Sequence, residues 1–236
     1  MTKRPTGRFF IMPTTQDFIS ALAPLADPAR APAMRAYMRD QFPFLGIQTP
    51  ARRDAVKPIV RAFDGASAAE LIGVAAELWQ MPEREYQYAA LDLMAAHWKQ
   101  FDTADLPKLL EFVLRKSWWD SVDGMAGIIG DVLRYEHDEM DLALKHSNFW
   151  MRRIALLHQL GWREKTDEMR LFRYSLALGR EDEFFIQKAI GWALRDYARH
   201  APHNVALFIN ENKTALSKLS VREAGKHLTP VKYARN

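Results

Sequence analysis

The 236-residue sequence predicts an all-α fold, a solenoid of stacked helix pairs. Three observations carry that expectation. Apolar residues recur at helical spacing along almost the whole chain, and strand-like alternation is nearly absent. Helix-start signals interrupt it at short intervals. One register position also recurs, at Arg53, Tyr88, Asp123, Arg153, Lys188 and Arg222, in steps of 35, 35, 30, 35 and 34 residues. A period of this length suits helix pairs that bury their faces only against their neighbours.

Taken in order, the elements justify that reading. Thr49 is read as an N-cap with Pro50 at the first helical position, opening PARRDAVKPIVRAF. Ser67 and Glu70 form a capping box for AAELIGVAAELW, and REYQYAALDLM (84–94) follows. Thr103 is expected to cap ADLPKLLEFVLRK, and Ser117 to cap WWDSVDGMAGIIGDVL. FWMRRIALLHQL (149–160) and FFIQKAIGWALRDY (184–197) share the apolar pattern of 84–94, which fixes the register. A further capping box is expected at Ser220 and Glu223. Asp64-Gly65, Gly161 and Gly179 mark breaks. This gives roughly twelve to fourteen helices of about 10–16 residues, an ordinary length.

Composition narrows the class. Hydrophobic residues make up 48% and charged residues 26%, the balance of a soluble globular protein. With no cysteine, disulfides and cysteine-based metal sites are excluded. No apolar run approaches the ~20 residues of a membrane span. The start, MTKRPTGRFFIMPTTQ, lacks a long apolar core ahead of a cleavage site. The expectation is a cytoplasmic protein with a flexible leader (1–13) and a single domain (14–236). The seven histidines, at 97, 137, 146, 158, 200, 203 and 227, show no ligand spacing on one helix face, so neither metal nor cofactor is expected. A net charge of +4 points to nucleic acid only if the basic residues converge on one surface.

KSWWDSVDG (116–124) holds two acids within a few residues. Counted from a Ser117 cap, Asp120 sits at the third helical position, where it completes a capping box and favours the helix N-terminus. Asp123 lies one turn further in, beyond the reach of capping. It follows Trp119 by four residues, so the two share a helix face, while Trp118 is expected in the interface between helices. Trp192 follows Lys188 by the same spacing. Tryptophans more often pack in cores, and lone surface acids are usually just solvated. Here the register lines up one carboxylate with two indoles and four cations. Indoles attract cations and stack on sugars or bases, and arginine and lysine neutralise phosphates. Gln48, Thr49, Arg52 and Arg53, at a helix start, suit a phosphate.

LGIQTPARR, LWQMPEREYQYAALD, KSWWDSVDG and EFFIQKAIGWALRDYA resemble the AlkD-like DNA glycosylases, the HEAT-like-repeat family of DNA alkylation repair enzymes, over about Ala33 to Lys226. The resemblance implies a C-shaped solenoid with a basic concave face on duplex DNA. It implies a monomer that excises 3-methyladenine and 7-methylguanine by hydrolysing the N-glycosidic bond, without a deep pocket for a flipped base. Its catalytic aspartate falls on Asp123, its lesion-flanking tryptophans on Trp119 and Trp192, and its active-site arginine on Arg153. Arg153 is expected to grip a phosphate and keep Asp123 ionised. Tyr88, Arg152, Lys188 and Arg222 join the helix-start residues as DNA contacts. Lys188 is the one candidate for a Schiff-base step, though simple hydrolysis is favoured. The competing classes are a non-catalytic module for damaged or branched DNA and a helical scaffold for proteins.

Overall fold

A computed structural model of the chain describes residues 12–134 and 136–228; most of the expected leader, residues 1–11, lies outside them. Among the described residues there are thirteen α-helices and no strand. They are α1 Thr15–Leu22, α2 Ala31–Tyr37, α3 Thr49–Arg61, α4 Ala68–Gln80, α5 Arg84–Ala96, α6 Leu106–Leu114 and α7 Trp119–Leu133, then α8 Asp138–Ala143, α9 Phe149–Leu157, α10 Glu168–Ala177, α11 Phe184–Tyr197, α12 Pro202–Glu211 and α13 Lys218–Ala224. They gather in two compact units, the first ending at Gln100 and the second beginning at Phe101.

In the first unit α3 packs on α5, α4 backs α5, and α1 closes over all three. Phe18, Leu22, Phe63, Leu71, Leu78 and Leu93 are fully buried there. In the second unit α7, α9, α11 and α13 pack each on the next, while α6 backs α7 and α9, α8 backs α9, α10 backs α9 and α11, and α12 backs α11. Met125, Ile129, Ile154, Leu157, Ile190 and Leu194 form its core. The odd-numbered helices from α3 to α13 carry the six residues of the sequence register. This is the helical-repeat architecture that the register predicts.

Several helices start at other residues than the sequence suggests, because the expected cap is helical itself, bonds elsewhere, or loses the amide to a neighbouring side chain. Ser67 and Glu70 do form their capping box. Gln48, not Thr49, takes the extended cap conformation of α3, so Thr49 is the first helical residue. Asp102 captures the amide of Ala104 and displaces Thr103 into a short 3₁₀ turn ahead of α6. Ser117 closes the preceding helix instead, donating to the Val113 carbonyl at 2.6 Å, just after Lys116 turns left-handed at φ 49°. The extended residue before α7 is then Trp118, and Asp120 stays in the first turn without a capping box. Ser217 caps α13 through the amide of Ser220, which leaves Glu223 for another partner.

Two close approaches set helix spacing. A Cβ at Gly130 of α7 would stand 2.0 Å from the His158 carbonyl oxygen at the end of α9. One at Gly191 of α11 would stand 2.4 Å from Cβ of Glu223 in α13. Only glycine permits such contacts.

The second unit also holds a buried polar network. His158 Nδ1 lies 2.8 Å from the Ala155 carbonyl, which only accepts, so Nδ1 carries the proton. Its Nε2 therefore accepts from Nδ1 of His137, 3.1 Å away. Burial pushes His158 down to about 3 and also lowers His137. Nearby, burial pushes the Asp141 carboxyl up, but hydrogen bonds from Arg170, Tyr174 and Arg173 outweigh it and hold the group at about 2.

Candidate active site

Three successively packed helices of the second unit build the site. α7 supplies Trp119 and Asp123, α9 supplies Arg153, and α11 supplies Phe185, Lys188 and Trp192. Arg153 Nε donates to Asp123 Oδ1 at 2.7 Å and Nη2 donates to Oδ2 at 2.8 Å, a bidentate pair. The third nitrogen, Nη1, donates to the Phe185 carbonyl. The guanidinium lies 5.3 Å from the Trp192 ring centroid and 5.9 Å from that of Phe185. Side-chain exposure is 1% for Arg153 and 22% for Asp123. Arg153 is thus spent inside the protein and does not reach out to a phosphate as the sequence reading expected. It holds the carboxylate, and the Asp123 side chain stays partly exposed.

The electrostatics follow from that burial. Burial pushes the Asp123 carboxyl above its ordinary value; the Arg153 hydrogen bonds and charge pull it back, and neighbouring Asp120 pushes it up further. The arginine acts in the expected direction, yet the net shift is upward, because taking a carboxylate out of water costs more than this pairing returns.

Trp119 and Trp192 are both partly exposed, with Trp119 one helical turn ahead of Asp123. Trp118, also partly exposed, has its ring centroid 6.0 Å from that of Trp150 and 5.3 Å from that of Phe185. Phe185 is the site residue that sequence reasoning missed. It precedes Lys188 by three residues and Trp192 by seven, so the helical face they share could have revealed it.

The expected DNA contacts divide into two groups. Gln48 and Thr49 are exposed at the start of α3, and Arg222 is exposed on α13. Arg53 is 65% exposed and bonds Asp92 at 3.1 Å. Tyr88 is partly exposed. Arg52, in contrast, is buried; its guanidinium bonds Asp92 at 3.1 Å and lies 4.9 Å from the Tyr88 ring centroid. Arg152 donates to the carbonyls of His146 and Ser147 and to Glu181, tying a loop to α9. Lys188 is bound by Glu223 at 3.0 Å. Arg52, Arg152 and Lys188 are buried or half-buried and held by partners within the chain, whereas Arg53 keeps most of its side chain exposed beside Asp92. Periodicity assigns a helix face but does not say which cation already has a carboxylate. Among the described residues no group of three or more histidines and acids could hold a metal.

The model of the DNA alkylation repair enzyme family matches residues 18–228, and the chain belongs to that family. Membership makes it a DNA repair enzyme and DNA its partner. It is similar to a solved structure titled "Predicted DNA alkylation repair enzyme from Enterococcus faecalis", at 35% identity and a TM-score of 0.80. That match covers 86% of this chain and 97% of the other. No curated protein matches the sequence.

Proposed function

We propose that this DNA repair enzyme is a monofunctional glycosylase that hydrolyses the N-glycosidic bond of positively charged alkylated purines, such as 3-methyladenine and 7-methylguanine, in duplex DNA. One observation carries the reading: a partly exposed aspartate, Asp123, held in bidentate register by a buried arginine beside the partly exposed indole of Trp192.

An N3- or N7-alkylated purine already carries its positive charge. When the C1′–N9 bond breaks, the electron pair returns to N9 and the base leaves neutral, without needing an acid. The cost lies in the positive charge that grows on the deoxyribose. A fixed carboxylate at that centre stabilises the charge and orients a water whose oxygen adds to C1′, with the water's proton released to the carboxylate or to solvent. Partly exposed indoles on the same helix faces add attraction for a cation. Arg153 positions Asp123 rather than binding substrate, and its bond to the Phe185 carbonyl ties that position to α11.

Exposed Gln48, Thr49, Arg53 and Arg222 fit phosphate contacts. The reading takes the protein to act as a monomer. The test is release of 7-methylguanine from a methylated duplex under single-turnover conditions. Release supports the reading. Binding of the same duplex without release would mark the chain as a non-catalytic module.

A further inference from the structure

Glu223 is the buried acid of the second unit that the excision chemistry above does not use. Its side chain is 4% exposed, yet its carboxylate serves three cations: Lys188 Nζ at 3.0 Å, Arg195 Nη1 at 3.2 Å and Lys226 Nζ at 2.7 Å. The contact exists because Gly191 lets α13 approach α11 at a distance any side chain would block. Gly191 lies three residues after Lys188 and four before Arg195, on the face turned to α13. The Lys226 bond first and the Lys188 bond after it outweigh burial and hold the carboxyl at about 2, so it is charged at any working pH.

The placement matters because of Lys188. Its ammonium lies 5.3 Å from the centroid of the Trp192 ring, the same distance as the Arg153 guanidinium. Two cations therefore crowd one indole. Each is answered by a carboxylate from the neighbouring helix: Arg153 by Asp123 of α7, and Lys188 by Glu223 of α13. Burying an ion pair of this kind is weak evidence for stability alone, since desolvation cancels much of the attraction. Beside a ring that faces a growing positive charge, an unanswered ammonium has a definite cost.

We propose that Glu223 is a positioning residue for excision: it pins the Lys188 ammonium and cancels its charge, so that the Trp192 indole is left to stabilise the cation forming on the sugar. The inference rests on the glycosylase reading of the Asp123 site. It also gives Lys188 a role other than phosphate contact or Schiff-base chemistry.

The experiment compares wild type, Glu223→Gln and the double variant Lys188→Met/Glu223→Gln. Each is measured for single-turnover release of 7-methylguanine, affinity for undamaged duplex, and melting temperature. Glu223→Gln is expected to slow release about 10- to 100-fold, the scale of one unanswered charge in a partly desolvated site. Duplex affinity should hold or rise, because a negative charge has left the protein. Removing the lysine as well should restore release to within about threefold of wild type, a rescue that a merely structural ion pair would not give. Release unchanged in Glu223→Gln, or lost without rescue in the double variant, overturns the inference. If Glu223→Gln does not fold, the double variant decides: near-normal release supports the inference. A large loss in that variant overturns it, as does a failure to fold, since Lys188 would then not be the cation that needs the carboxylate. A wild type that releases nothing overturns the glycosylase reading and this inference with it. A wild type that releases base at the rate of Glu223→Gln overturns this inference alone.

Discussion

In the first unit Arg52 of α3 reaches to Asp92 of α5; in the second, Arg153 of α9 reaches to Asp123 of α7. The two pairs match closely. The arginines are 5% and 1% exposed and the aspartates 17% and 22%. Each guanidinium also lies near an aromatic ring, 4.9 Å from Tyr88 in one case and 5.3 Å from Trp192 in the other. The difference is in what else the carboxylate meets. Asp92 accepts from a second guanidinium, Arg53, so its charge is more than answered. Both oxygens of Asp123 go to Arg153 alone, and Asp120 stands nearby with the same sign. The same inter-helix device thus knits one unit together and, in the other, leaves a carboxylate with charge to offer.

The largest expected effect tests that contrast directly. Asp123→Asn should lower single-turnover excision by ~10²–10³, the loss typical of removing one electrostatic stabiliser. Its duplex affinity should hold or rise. Asp92→Asn should leave excision within a few-fold of wild type but lower the melting temperature, because buried Arg52 loses its counter-charge. If the two variants lost activity equally, the distinction between the pairs would collapse.

A second effect reads the charge on Asp123. Excision needs the ionised form, and burial raises this carboxyl above the ordinary 3.8. The rate should therefore fall, as pH is lowered, at a higher pH than for an exposed aspartate. A pH–rate profile flat down to the ordinary carboxylate range would remove burial from the account.

Acid should also separate the units. Folded His158, at about 3, refuses the proton that the unfolded chain accepts below 6.5. Its contribution to stability is full above 6.5 and is lost as pH falls toward 3. Asp141, held at about 2 against 3.8 unfolded, adds a loss at lower pH still. Hydrogen exchange at pH 7 and pH 4.5 should show protection lost first around α8–α10, and His158→Gln should flatten that dependence.

The smallest expected effect belongs to Asp120→Asn. Excision should stay near wild type, and the loss of a first-turn acid costs only about 0.3–1 kcal/mol. Because Asp120 raises Asp123, the acid limb of excision should move slightly to lower pH. A shift the other way would mean that Asp120 acts through another contact.

The repeat was legible in the sequence, because a single register position already singled out Asp123, Arg153 and Lys188 on what proved to be successive packed helices. The family resemblance named the same aspartate and arginine. What stayed hidden was partner choice. Arg152 and Arg153 are adjacent, yet about 100° of helical rotation sends one to a loop and the other to Asp123. Arg52 and Arg53 differ in the same way in burial. Glu223 looked like a capping residue because SxxE is a capping pattern, and only the approach of α13 to Gly191 shows what it binds. The caps at Ser117 and Thr103 failed for local reasons that spacing alone does not rank: the Ser117 hydroxyl bonds back to the Val113 carbonyl, and Asp102 takes the amide within reach of Thr103.

The Gly130 contact has a consequence for how such a sequence can drift. α7 and α9 are spaced there by main-chain atoms, a glycine Cα against the His158 carbonyl. Main-chain atoms are identical whatever the side chains around them become. Substitutions can therefore accumulate on the backing helices, exchanging one apolar residue for another, without changing the separation across which Arg153 meets Asp123. A lineage could rewrite most of its surface and still inherit the same gap, provided that one position never gained a methyl group.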